Sequence, residues 1–164
     1  MALAEQTFHA VVRAPFGGVG IRLNDAVTHI QELVYVPDSV ALKTADHPLA
    51  RKAAEQVLAF LDDPHFQFDL PLLSQGTEFQ NKVWQVIRSL ETGQTLTYKQ
   101  VGQVIQCGAA RAVGAACGAN PYPLIVPCHR VVGTGNIGGF AHHDGGFYVG
   151  VKHWLLAHEG VVYD

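Results

Sequence analysis

The sequence predicts an α+β protein. A small N-terminal α/β domain with a short antiparallel sheet, including a linker, spans residues 1–75. A mainly helical C-terminal domain containing a helix-turn-helix spans 76–164. Three observations predict this. Residues 6–14, 18–23 and 27–36 are short runs rich in β-branched residues, separated by Phe16-Gly17-Gly18 and Leu23-Asn24-Asp25. Thr77 with Gln80, and again Thr97 with Gln100, have the spacing at which a threonine hydroxyl and a glutamine amide satisfy free amides of a first helical turn. Two short helical segments then meet at a tight break, Cys107-Gly108, as in a helix-turn-helix, although an ordinary helical hairpin fits the same pattern.

The elements follow in order. After the three strands, Asp46 and Pro48 open a helix whose Leu49, Ala53, Val57, Phe60 and Leu61 share one face. Residues 64–76, richer in Pro, Leu and Gly, read as a linker. A helix begins after Thr77, repeats apolar residues at Phe79, Val83, Val86, Ile87 and Leu90, and takes Gly93 as its C-cap. A short helix after Thr97 places Val101, Val104 and Ile105 inside, the next runs over about 109–119, and a last one over about 149–158 ends at Gly160. The second helix of the pair is unusual: nine of the twelve residues from Gly108 to Ala119 are Gly or Ala, and Arg111 is its sole charge. Small side chains allow close approach to another surface, either the core or a narrow DNA groove entered by the lone arginine.

Composition narrows the function. With 48% hydrophobic and 15% charged residues in 164, the chain can bury a core and is no disordered tail. No apolar run approaches the roughly 20 residues of a membrane helix, and the N-terminus lacks a signal-peptide pattern, so a cytoplasmic location with no membrane contact is expected. Three cysteines, Cys107, Cys117 and Cys128, with no CxxC pair, argue against a disulfide framework or a cysteine zinc site. The net charge of −3 speaks weakly against nucleic acid, but residues 1–75 hold five basic against nine acidic residues, and 76–164 hold six against five. Any DNA is therefore bound by the C-terminal half, with few phosphates neutralised.

The chemistry concentrates at Asn120-Pro-Tyr-Pro-Leu-Ile-Val-Pro-Cys128-His129-Arg130-Val-Val-Gly, where an apolar run delivers a Cys-His pair. Cys107 and Cys117 read as inert packing residues. Cys128 reads as a nucleophile: a free thiol of pKa about 8.5 is only a few per cent ionised at neutral pH, and an imidazole accepting its proton, directly or through water, removes that limit. Glu159 and Asp144 are the candidates for orienting the imidazole, and Cys128 is expected to be partly ionised at neutral pH.

Pro127-Cys128-His129-Arg130-Val131 resembles the active-site motif of the O6-alkylguanine-DNA alkyltransferases. The resemblance extends through most of residues 77–160. It includes Thr97-Tyr98, Ala110-Arg111-Ala112-Val113-Gly114, Gly118-Ala119-Asn120-Pro121 and Lys152-x-Trp154-Leu155-Leu156-x-His158-Glu159-Gly160. Residues 1–75 match only in general form. The resemblance implies direct-reversal repair: single-use transfer of an alkyl group from guanine O6 in double-stranded DNA to Cys128, by a monomer without cofactor or metal. It implies that His129 takes the Cys128 proton through a water, that Glu159 orients His129, and that Asn120 braces the adjoining turn. Tyr98 would help extrude the nucleotide and hydrogen-bond the flipped base. Arg111 would enter the base stack, on a helix whose Ala110, Ala112 and Gly114 face the minor groove, and Val131, Phe140 and Ala141 would line the base pocket. Flipping costs a few kcal/mol, least for a damaged pair.

The sequence departs from the family pattern at His142-His143-Asp144-Gly145-Gly146, an extra loop, and Phe140 stands where a tyrosine is common. His142, His143 and Asp144 suggest metal ligands, but no fourth ligand is evident, and a solvated polar loop is expected. Two other readings use the same residues. A cysteine hydrolase would employ Cys128, His129 and Glu159, but no oxyanion-hole motif accompanies them. A DNA-binding regulator without chemistry would not need Cys128.

Overall fold

The computed structural model describes residues 7–106, 109–138 and 146–161. The expectations for residue 6, the Cys107-Gly108 break, Phe140, Ala141 and residues 142–145 lie outside these. The chain forms two compact units, residues 1–74 and 75–164.

The first unit is a three-stranded antiparallel meander, β1 (Ala10–Ala14), β2 (Gly17–Leu23) and β3 (Ile30–Val36), in the order β1-β2-β3. The third strand starts at Ile30 rather than at 27. Asn24 Oδ1 accepts the amides of Thr28 and His29, and Val27 takes a left-handed φ of 51°, so residues 24–29 form a turn instead. Helix α1 (Pro48–Asp62) covers the sheet, burying Ala50, Ala53, Val57 and Phe60 at helical spacing, with Leu49 and Leu61 half-buried at the margins. Its N-cap is His47, whose Nδ1 accepts the Leu49 amide at 3.1 Å, and not Asp46; Pro48 occupies the first helical position.

The expected linker is packed rather than free over most of its length. Phe68 packs tilted against Phe60 and edge to face with Phe66, Gln56 bonds both backbone groups of Asp69, and Pro71 and Leu73 bond across to Ile30. The two phenyl rings of this stretch, packed with Phe60 of α1, give it enough apolar area to hold it on the first unit, which its Pro and Gly content concealed.

The second unit opens with α2 (Glu78–Arg88), capped by the reciprocal Thr77–Gln80 box. The helix stops at Ser89, and Gly93, at φ +83°, lies in the following turn rather than at the C-cap. A two-residue strand β4 (Leu96–Thr97) pairs in parallel with β5 (Val131–Val132), an element the helical patterning gave no sign of. Helix α3 (Tyr98–Val104) carries the second capping box, Thr97–Gln100. It buries Val101 and Gly102 but leaves Val104, its last residue, 61% exposed, against expectation.

Helix α4 (Ala110–Gly118) packs on α2 and α3 through Val113 and Ala116, and the Trp84 indole on α2 donates to the Ala116 carbonyl at 2.9 Å. Helix α5 (Gly146–His158) begins three residues earlier than expected, since Phe147 and Tyr148 join it half-buried with their rings edge to face. Gly146, assigned to a loop from the sequence, is its first residue. Gly160, at φ +84°, ends it as expected, with its amide on Ala157 and that of Val161 on Leu156. Among the described residues, no helix is long and apolar enough to cross a membrane.

Candidate active site

Cys128 opens a single 3-10 turn, Cys128–Arg130, that follows the buried run 124–127 and leads into β5. The turn is tight because the Cys128 amide bonds the Val126 carbonyl and the Arg130 amide bonds Pro127. Asn120 holds this run from outside. Its Nδ2 donates to the Val126 carbonyl at 2.8 Å and to Cys128 Sγ at 3.2 Å, while its Oδ1 accepts the Tyr122 amide at 2.8 Å. One amide thus fixes the turn and touches the sulfur.

The three side chains of the turn take different environments. Cys128 is buried, with the Cys117 thiol of α4 in hydrogen-bond contact and Lys152 close enough to act on it electrostatically. Burial, with Cys117, pushes the Cys128 thiol pKa up, and Asn120 and Lys152 only partly oppose this. The expectation that Cys128 is partly ionised at neutral pH is therefore corrected: burial favours the protonated thiol. Burial outweighs the groups that favour the thiolate, so the proton must leave during reaction. Cys117, read as an inert packing residue, is half-buried and lies directly beside the acceptor.

His129 is fully buried, and its Nε2 meets Glu159 Oε2 at 2.5 Å. The Glu159 carboxyl is held down at about 2: burial opposes this, but the bonds from His129, Arg130 and the Gly93 amide prevail. An ionised carboxylate can only accept, so His129 Nε2 carries the hydrogen. Burial lowers the His129 pKa, so the ring is neutral and Nδ1 has an open lone pair. Nδ1 is buried without a hydrogen-bond partner among the described residues. Of the two candidates for orienting the imidazole, Glu159 occupies the position; Asp144 lies outside the described residues.

Two buried cations that the sequence left unassigned complete the site. Arg130 donates from Nε to Glu159 Oε1 at 2.8 Å, from Nη2 to Oε2 at 3.1 Å and from Nη1 to the Leu90 carbonyl at 2.7 Å. Lys152, on α5, is fully buried, and its Nζ donates to the Val131 carbonyl at 2.7 Å and to the Tyr98 hydroxyl at 3.4 Å. Burial lowers its pKa to about 8. Both residues stand within the motifs that carry the family resemblance, but their partners lie 21 to 54 positions away. The Gly93 amide, bonded to Glu159 Oε1 at 3.0 Å, likewise gave no signal in the sequence.

Tyr98 is the first residue of α3, and its ring lies between two glycines. A Cβ on Gly138 would come within 3.0 Å of it, and one on Gly114 within 3.9 Å. Gly114, assigned to the DNA-facing side of α4, thus backs onto Tyr98. Ala110 and Arg111 are exposed, Ala112 is half-buried, and Arg111 makes no ion pair with any described residue. Val131 is buried in β5, while Phe140 and Ala141 lie outside the described residues. No cluster of three potential metal ligands occurs among the described residues.

Residues 78–161 match the family model described as 6-O-methylguanine DNA methyltransferase, DNA binding domain. The chain is 53% identical over 87 residues to the methylated-DNA–protein-cysteine methyltransferase of Salmonella typhimurium, covering 52% of this chain and 48% of that protein. It is 37% identical over 152 residues to a probable methylated-DNA–protein-cysteine methyltransferase of Acanthamoeba polyphaga mimivirus, covering 91% and 94%. The matched region spans about half the length of the enterobacterial relatives. Among solved structures, Mycobacterium tuberculosis OGT in complex with DNA aligns at 31% identity with a TM-score of 0.74, covering 92% of this chain and 91% of that one. With a matching model over half its length and a relative aligned along nearly all of it, the chain belongs to the O6-methylguanine-DNA methyltransferase family.

Proposed function

We propose that this protein repairs alkylated DNA directly, moving the alkyl group of an O6-alkylguanine onto Cys128 Sγ in a single irreversible event. The observation that carries this is the Cys128–Arg130 turn. It presents a buried thiol next in sequence to a neutral imidazole whose Nε2 is fixed on an ionised carboxylate and whose Nδ1 is open. As the Cys128 proton passes through a water to His129 Nδ1, Sγ attacks the alkyl carbon in line. The S–C bond forms, the C–O6 bond breaks, and the electron pair leaves on guanine, which takes up a proton. The thioether product offers water no electrophilic carbonyl, so each molecule acts once.

Double-stranded DNA is the partner, and α3 with α4 serves as a helix-turn-helix in the minor groove. Exposed Ala110 and half-buried Ala112 allow close approach, Arg111 fills the gap left by the extruded guanine, and Tyr98, backed by Gly114, donates to the flipped base. Asn120 braces the acceptor turn, and Val131 lines the base pocket. The DNA complex of the M. tuberculosis relative supports this assignment of the partner. The protein works as a cytoplasmic monomer with no cofactor or metal. Residues 1–75 form the N-terminal domain, and 76–164 the DNA-binding and alkyl-acceptor domain.

The test is to incubate the protein with duplex DNA containing O6-methylguanine and weigh the intact chain and its Cys128 peptide. One methyl group per molecule on Cys128 is expected. Cys128→Ser should gain none while still binding the duplex. Many turnovers per molecule, or methylation of Cys117 or Cys107 instead, would overturn the reading.

A further inference from the structure

Arg130 has no part in the relay formed by Cys128, His129 and Glu159, yet it makes four of the bonds around them. It grips both Glu159 oxygens and is itself anchored on the Leu90 carbonyl and the Thr92 hydroxyl. Glu159 Oε2 therefore accepts from His129 Nε2 and Arg130 Nη2, and Oε1 from Arg130 Nε and the Gly93 amide. A carboxylate so supplied stays ionised without a proton on His129. Its field at the imidazole is also partly cancelled by the guanidinium, which disfavours the imidazolium.

We propose that Arg130 is a positioning residue of the relay, fixing Glu159 with two bonds and holding His129 as a neutral imidazole whose Nδ1 can take the Cys128 proton. This rests on the alkyl-transfer reading for its consequence but not for its first measurement. The groups around His129 leave Arg130 as the adjustable one. Burial lowers the His129 pKa most and is fixed by the fold; Glu159 favours the imidazolium, Arg130 and then Lys152 on α5 oppose it, and Cys128 is a buried thiol. On α5, His153 is exposed and His158 stacks on Trp154. On α2, which also packs on the turn, Glu78, Lys82 and Arg88 are exposed. Among the described residues, Arg130 alone is a cation bonded to the same carboxylate as His129. Lysine in its place would keep a charge but lose the two-pronged grip.

The experiment follows the His129 ring by NMR in histidine-labelled full-length protein across pH, in wild type, Arg130→Gln and Arg130→Lys, without DNA. It is paired with single-turnover methyl transfer at the same pH values. In Arg130→Gln the His129 titration should rise by about one pH unit or more. Transfer should then fall about tenfold on the acidic side while approaching wild type above the titration. Arg130→Lys should shift the same way by less, and it decides the matter alone if Arg130→Gln does not fold. A purely structural arginine would lower the melting temperature and scale transfer equally at every pH. Unmoved His129 titrations, or parallel pH profiles, would overturn the proposal. If wild type transfers no methyl group at any pH, the functional reading fails, while the titrations still judge Arg130.

Discussion

Among the described residues, each unit of the molecule contains one Arg–Glu pair, and the two are built for different purposes. In the first unit, Arg22 and Glu32 face each other across β2 and β3, with side chains 23% and 31% exposed. In the second, Arg130 and Glu159 are 9% and 0% exposed and share the carboxylate with His129. The first pair is a cross-strand contact that water can replace. Removing either member of the second leaves a buried charge without its counterion. The contrast runs through the whole fold: the buried polar or charged residues among those described are His129, Arg130 and Lys152, all in the second unit. The first unit buries apolar side chains, and its polar groups serve turns and caps. Costly desolvation is confined to the unit that holds the thiol, which is where perturbed titration is expected to mark chemistry.

The largest expected effect is that of Glu159→Gln. The amide cannot hold His129 in one tautomer by accepting at both oxygens, and Arg130 is left buried without its counterion. Single-turnover transfer should fall by roughly 10²–10⁴-fold. The fold should lose about 3–5 kcal/mol, measured by denaturant unfolding at neutral pH. An unchanged transfer rate would remove Glu159 from the relay and dissolve the contrast between the two pairs.

A smaller effect follows from acid. Glu159 has a folded pKa of about 2, below its ordinary 4.5, so its contribution is fully present above about pH 4.5 and is lost as pH falls towards 2. The lowered pKa of His129 acts in the same direction from higher pH: below about 6.5 the unfolded chain takes up a proton that the folded one refuses. Wild type should therefore lose stability in two stages on acidification. The stability gap between wild type and Glu159→Gln should narrow through the lower stage. A gap that stays constant from pH 6 to pH 2.5 would mean that the Glu159 carboxylate adds nothing to the fold.

What the sequence disclosed follows the same division. Both capping boxes could be read because their donors and acceptors lie three residues apart. Cys128, His129 and Asn120 could be read because one segment carries them. Arg130 could not, since its bonds reach Leu90, Thr92 and Glu159, 29 to 40 positions away. Nor could the parallel pairing of Leu96 with Val131, which periodicity over two residues cannot signal. The raised pKa of Cys128 is not legible in the sequence, where the neighbouring histidine is visible and burial is not. Gly93 stands out in the sequence as a special position, but it does not cap the helix. Its left-handed φ serves a turn whose amide reaches Glu159.

The smallest expected effect tests the other half of the comparison. Glu32→Gln removes the charge opposite Arg22, yet Arg22 keeps the Thr7 carbonyl as acceptor at 3.3 Å and lies over the Phe8 ring at 5.3 Å. Both side chains of the pair reach solvent, so water can satisfy the guanidinium that Glu32 leaves. The loss should not exceed about 1 kcal/mol. In a chain of this size that is at most about 2–4 °C in melting temperature. The strand register should persist, because the ladder from Gly18–Val36 to Ile21–Leu33 and the apolar residues facing α1 set it independently of this pair. Methyl transfer should be unchanged, since no bond of the relay involves Glu32. If Glu32→Gln lowered the melting temperature as far as Glu159→Gln does, exposure would not be what separates the two pairs. The first unit would then depend on a charge that its burial pattern gives it no reason to need.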